Sequence, residues 1–164
     1  MKKHNSQRGY FAYELYQQMK KNKDIYLLCF DLGYKVFDQH FKDFPDRCFN
    51  LGASEQAGVG IAVGLALEGK IPFCYSITPF LLYRPFEFIR NYLHREQIPV
   101  HLVGSGRDKD YGTDGFTHHA EEASRVLDCL PNIDQYYPQE KKEIPVIVKQ
   151  IIKQNKPSFI SLKR

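Results

Sequence analysis

Three stretches of the chain carry side chains whose type and spacing suit chemistry. The first is Asn50-Leu-Gly-Ala-Ser-Glu-Gln-Ala-Gly-Val-Gly-Ile-Ala-Val-Gly, in which Glu55 follows Ser54, a residue type that opens helices. The helix dipole favours a carboxylate in that first turn. A carboxyl group fixed there can share a proton with a ligand, or it can be an ordinary first-turn acid. The second stretch is Thr78-Pro-Phe-Leu-Leu-Tyr-Arg-Pro-Phe, where Phe80, Tyr83 and Phe86 recur at every third position. Such a stripe can present an aromatic wall to a flat heterocycle, or it can pack into a core. The third is Gly112-Thr-Asp-Gly-Phe-Thr-His-His, which sets Asp114 and His118 near the start of a helix. With Asp108 and Asp110 it reads as a metal site or as a solvated loop. Gly104-Ser-Gly106 lacks the third glycine of a dinucleotide fingerprint.

The elements that must position these residues alternate along the chain. Short apolar runs at 25–30, 48–50, 71–76, 100–104, 133–137 and 159–162 read as strands, the continuous ones covered on both faces. Helical patterns fall between them: 7–20, 55–68 (stopped by Gly69), from Thr78 onward with a kink at Pro85, from Thr117 or His118 to about Leu130, and about 140–155. This alternation predicts a three-layer α/β/α sandwich around a mostly parallel sheet, one domain over residues 1–164. In such sheets sites lie at the carboxyl ends of strands, here after Phe30, Asn50, Ser76 and Gly104. Gly58, Gly60 and Gly64 within one helix predict close packing of that helix against another backbone, on a face suited to a subunit interface.

Composition removes several classes of function. The net charge is only +4, and the basic pairs Lys2-Lys3, Lys20-Lys21 and Lys141-Lys142 have no interleaved aromatics, so nucleic-acid binding is not implied. Cys29, Cys48, Cys74 and Cys129 form no Cys-x-x-Cys pair, which excludes zinc ribbons and thioredoxin chemistry. Cys29 and Cys74 read as buried thiols. No apolar run approaches a membrane span, and Met-Lys-Lys-His-Asn carries no secretory signal. A reducing cytoplasm is the expected compartment.

Taken together and in this order, Asp31-Leu32, Gly-x-Ser-Glu-Gln, the aromatic triplet, Gly-x-Asp-Gly-x-Thr-His and the closing Ile-Ser-Leu-Lys-Arg resemble the pyrimidine-binding domain of the transketolase family of thiamine diphosphate enzymes. The resemblance runs from about Arg8 to Arg164 and implies the thiamine diphosphate-binding fold. It implies that Glu55 contacts N1′ of the cofactor's aminopyrimidine, that Phe80, Tyr83 and Phe86 surround that ring, and that Asp31 lies on the cofactor side. It further implies that Asp114 and His118 meet substrate oxygens near the reacting carbons, and that Arg8 and Arg164 bind a sugar phosphate. Tyr83 stands where transketolases commonly have Phe. A family histidine ahead of Gly-x-Asp-Gly is replaced by Gly106, with Arg107 and Lys109 nearby.

The family holds the diphosphate and Mg²⁺ through Gly-Asp-Gly followed by Asn on a separate domain. The only Asp-Gly here is Asp114-Gly115, preceded by Thr113. The resemblance therefore implies a stand-alone subunit of a split enzyme, with no metal ligands of its own. A partner carries the diphosphate and Mg²⁺, and thiamine diphosphate binds between the two in an α₂β₂ assembly. The implied reaction moves a two-carbon ketol unit between sugars or sugar phosphates. The same residues also suit a 1-deoxyxylulose-5-phosphate synthase-like or keto-acid decarboxylating enzyme, or an inactive interaction or regulatory subunit.

Overall fold

The structure is a computed structural model that describes residues 3–164. Residues 1 and 2, and with them Lys2 of the first basic pair, lie outside the described residues. In chain order the elements are α1 (Gln7–Lys21), β1 (Ile25–Cys29), α2 (Asp38–Asp43), β2 (Cys48–Asn50), α3 (Glu55–Leu67), β3 (Ile71–Ile77), α4 (Thr78–Tyr83), the short α5 (Phe86–Phe88) running into a π-helical segment (Ile89–Arg95), β4 (His101–Ser105), α6 (Ala123–Asp128), β5 (Asp134–Tyr136), α7 (Ile144–Gln154) and β6 (Ser158–Leu162). The six strands form one sheet in the order β2-β1-β3-β4-β6-β5, and every pairing is parallel.

Side chains on the central strands alternate between two cores because successive residues of a strand face opposite ways. Leu28, Cys74, Leu102 and Phe159 join the core under α3 and α4, while Leu27, Phe73, Tyr75, Val103 and Ile160 join the core under α1 and α7. The expected three-layer sandwich is the observed one. Cys29 and Cys74 are buried, and all four cysteines are free thiols. No helix among the described residues is long and apolar enough to cross a membrane.

Several boundaries differ from expectation. Ser54 does not cap α3 with its hydroxyl, which donates instead to the Leu51 carbonyl at 2.6 Å. Thr78 is the first residue of α4 rather than its cap, and its hydroxyl is spent on the Gly106 carbonyl at 2.6 Å. The helix expected to begin at Thr117 or His118 begins only at Ala123; ahead of it the chain makes two 3₁₀ turns, Gly112–Asp114 and Phe116–His118, on either side of Gly115 at φ +85°. The three glycines of α3 do not share one purpose. A Cβ at Gly58 would run into the ring of Phe30, a side chain rather than a backbone, whereas Gly64 faces open space.

Candidate active site

The parallel sheet delivers its loops to one edge, and the candidate residues assemble there. Glu55 opens α3 directly after β2, and its side chain is buried, with 1% of its surface exposed. The neighbouring strand supplies a hydrogen bond: Ser76, near the end of β3, donates its hydroxyl to Glu55 Oε1 at 3.1 Å. Arg84, just past α4, donates from Nη1 to both carboxylate oxygens, at 2.9 and 2.8 Å. The guanidinium also lies over the Phe80 ring, 4.0 Å from its centroid. Glu55 and Arg84 line two cavities together. The smaller, of about 160 Å³, is completed by Phe30, Asp31, Ser76 and Phe80. The larger, of about 550 Å³, includes Gln56 and Phe88.

From Phe80 the site continues through aromatic contacts. Its ring meets the His118 ring edge-on with centroids 4.9 Å apart, and His118 lies 6.0 Å from the Tyr111 ring. Tyr111 shares a hydrogen bond with Ser105 at the end of β4, 2.8 Å long. Arg164 stacks on the other side of this cluster, 4.6 Å from the Tyr111 centroid, and pairs with Asp114 at 3.7 Å. Its backbone N–H donates to Asp110 at 2.9 Å. Thr78 and the Gly106 amide, which donates to the Leu162 carbonyl at 2.8 Å, pin the start of this loop to α4 and β6.

Arg8 sits elsewhere on the same edge. It lines a cavity of about 490 Å³ with Asp31, Leu32, Tyr34 and Asn50, and its Nε is buried with no hydrogen-bond partner among the described residues. Asn50 ties the loops after β1 and β2 together, accepting from the amides of Asp31 at 3.0 Å and Gly52 at 3.1 Å. Asp31, at φ +51°, borders both this cavity and the smaller Glu55 cavity.

The structure thus gathers Glu55, Asp31, Phe80, His118, Asp114 and Arg164 along one run of contacts, with Arg8 next to Asp31. Tyr83 and Phe86 line neither of the two Glu55 cavities. Tyr83 is partly exposed, and its hydroxyl is pushed to high pKa by burial and then by Glu122. Phe86 packs on the core beneath α3. Phe80 and Tyr83 share α4, whereas Phe86 begins a second short helix after Pro85, so the every-third spacing is not carried by one continuous helix. Phe88, not singled out in the sequence, takes a place beside Glu55. Ser76 and Arg84 escape the sequence reading as well; the signal for Arg84 is a cation at the turn between two of the aromatic residues. Arg107 is committed to structure, donating to the Ser161 carbonyl at 2.5 Å and the Pro138 carbonyl at 3.1 Å. Among the described residues, no three His, Cys, Asp or Glu side chains gather as a metal cluster.

A buried carboxylate at a helix start, an aromatic face beside it and a polar loop across from it lie together at the carboxyl edge of a parallel sheet in an α/β domain. The chain belongs to the transketolase pyrimidine-binding domain family, whose model matches residues 5–164. It is 30% identical over 146 residues to a putative transketolase C-terminal section of Methanocaldococcus jannaschii, covering 88% of this chain and 46% of that protein. It is 34% identical over 121 residues to one subunit of the apulose-4-phosphate transketolase of Actinobacillus succinogenes, covering 74% and 39%. Among solved structures it superposes on a split gene transketolase, described as an inactive β4 tetramer, with a TM-score of 0.83 at 30% identity over 96% of this chain and 51% of that one. Transketolase from Campylobacter jejuni shares the fold, with a TM-score of 0.84 at 19% identity over 96% of this chain and 25% of that one. The chain spans less than half the length of the curated relatives named here.

Proposed function

We propose that this chain is the pyrimidine-binding half of a split transketolase-like enzyme, active only with a partner that carries the diphosphate and Mg²⁺ site. The observation that carries the reading is Glu55: a carboxylate sealed from water yet bordering two cavities, with the Phe80 face alongside. The donor set fits an aminopyrimidine. Glu55 would share a proton with the ring nitrogen N1′, and Phe80 would stack on the ring. When bound, thiamine diphosphate supplies the electron sink that breaking a carbon–carbon bond beside a carbonyl requires.

The remaining roles belong to the same proposal, with position as their support. His118 and Asp114, beyond Phe80, would take the hydroxyl and carbonyl oxygens of a sugar. Arg164 would hold Asp114 and meet a phosphate, and Arg8 would meet one from the cavity beside Asp31. Tyr83 and Phe86 would form the outer part of the aromatic wall. Transfer of a two-carbon ketol unit between sugars or sugar phosphates, and a separate partner subunit, are supported by the split transketolase relatives; pairing in an α₂β₂ assembly belongs to the same proposal. One domain over residues 1–164 and a cytoplasmic setting belong to the same reading. A second reading has its own support: 31% identity over 140 residues to a probable 1-deoxy-D-xylulose-5-phosphate synthase of Capsicum annuum.

Co-purification with a protein carrying Gly-Asp-Gly…Asn, followed by assay with thiamine diphosphate and Mg²⁺, tests the proposal. Ketol transfer by the pair, none by this chain alone, and a loss of about 10² to 10⁴ in turnover for Glu55→Gln are the expected results. Carbon dioxide release from pyruvate would move the assignment to the synthase-like reaction. Full turnover by Glu55→Gln would leave a scaffold role.

A further inference from the structure

Arg84 is placed where the proposed cofactor ring would go. One nitrogen of its guanidinium donates to both oxygens of Glu55, and its flat face covers Phe80 at 4.0 Å. Those two surfaces, the carboxylate and the aromatic face, are the ones a flat heterocycle would use. A guanidinium is itself flat, rigid and rich in N–H donors, so it imitates such a ring in shape and in hydrogen bonding. Arg84 also borders both Glu55 cavities and stands between them.

We propose that Arg84 is a latch that closes the ring site of this subunit until a ligand displaces it, an inference that rests on Glu55 being the carboxyl group that shares a proton with the aminopyrimidine. A buried carboxylate with only the Ser76 hydroxyl would be costly, and Arg84 supplies its countercharge while the site is unused. The latch is built to open. The Arg84 side chain is 45% exposed and follows the last turn of α4, with Pro85 ending the regular helix, so the guanidinium can swing to solvent without disturbing the core. Binding of the ring then replaces one set of contacts to Glu55 and Phe80 with another. The affinity of the subunit for a ring is lowered by the contacts that Arg84 must give up.

The two contacts set the scale. A half-exposed ion pair and a cation–π contact are each worth about two- to fivefold in an equilibrium constant, so removing both tightens ring binding by about tenfold. The probe is 4-amino-5-hydroxymethyl-2-methylpyrimidine, whose free ring is neutral and gains the proton it shares with Glu55 on binding, titrated calorimetrically into the full chain at one fixed pH. Arg84→Met and Arg84→Gln are expected to bind it about tenfold tighter than the unaltered chain. Raising KCl from about 20 to about 500 mM screens the ion pair, so affinity rises with salt in the unaltered chain and stays flat in both variants. Equal or weaker binding by both folded variants refutes the latch and makes Arg84 a residue that holds the ring. Arg84→Met combined with Glu55→Gln separates the two ideas. Binding there as tight as in Arg84→Met alone, or no binding by any of the chains, refutes the assignment of Glu55 itself.

Discussion

Acid should unfold this protein earlier than its carboxylates alone would dictate, and two buried histidines set the amount. His101 begins β4 in the middle of the sheet, 2% exposed, with its ring 4.8 Å from that of Phe73 and Nδ1 3.0 Å from the Ser158 hydroxyl. Burial lowers its pKa from 6.5 to about 3. His40, fully buried between Phe37 and Tyr16, is lowered by burial from 6.5 to about 4. Both imidazoles stay neutral in the fold at a pH where the unfolded chain has already taken up protons. The unfolded state therefore binds more protons between pH 6.5 and the folded values, and stability is lost as pH falls through that window. It is complete above about 6.5. At pH 5.5 each group costs about 1.4 kcal/mol, together about 3 kcal/mol out of a typical 5–15. Over its whole window His101 contributes roughly 5 kcal/mol. Urea denaturation followed by circular dichroism at pH 7.5, 6.5, 5.5 and 5.0 reads this directly. The midpoint should drop by roughly 1 M or more between 6.5 and 5.5. His101→Asn keeps a hydrogen-bonding group for Ser158 but does not titrate, so its midpoint should drop by about half as much over the same interval. An equal drop in the variant and the unaltered chain would show that His101 is not the proton acceptor.

Gly58→Ala should destabilise the domain by about 1–3 kcal/mol in the same denaturation experiment, because the new methyl meets the Phe30 ring, and Phe30→Leu should recover part of the loss. Thr78→Val leaves the Gly106 carbonyl without its buried donor; a cost of about 1–2 kcal/mol and faster amide exchange in residues 106–118 are expected. His118→Ala, at a half-buried position against Phe80, should cost no more than about 1 kcal/mol in the urea experiment while lowering ketol transfer in the paired enzyme by about 10²-fold, as steady-state kinetics would record.

Much of the arrangement is legible in the sequence because it rests on local rules. Runs such as Ile25–Phe30 and Val100–Gly104 could only be strands covered on both faces, and their alternation with helices fixes the layered architecture. Glu55 and Phe80 are legible because both open helices that follow strands, where a parallel sheet puts its sites. Arg84 and Ser76 are not, since their importance arises from reach across space: each comes to Glu55 from another element, over sequence separations of 29 and 21 residues. The loop from Ser105 to Ala120 departs from expectation for a different reason. Its Gly and Asp residues favour tight turns, and an isolated pairing of Asp108 with Ala120 closes it on itself, so helix starts only after the closure. The aromatic triplet reads as one stripe in the sequence, whereas the fold divides it between two helices at Pro85.

The two strands at the margins of the sheet, β2 and β5, are three residues long each, against five to seven for the four between them. Such short borders offer almost no run of unpaired amides and carbonyls to a neighbouring sheet. Lateral growth by strand addition, the common route to fibrils and to continuous intermolecular sheets, is therefore disfavoured. The helical layers offer apolar surface instead, where Ile61 and Leu67 of α3 stand 48% and 69% exposed in the same helix as the uncovered Gly64. Complexes of this subunit should accordingly meet helix against helix, with each sheet remaining a separate six-stranded unit.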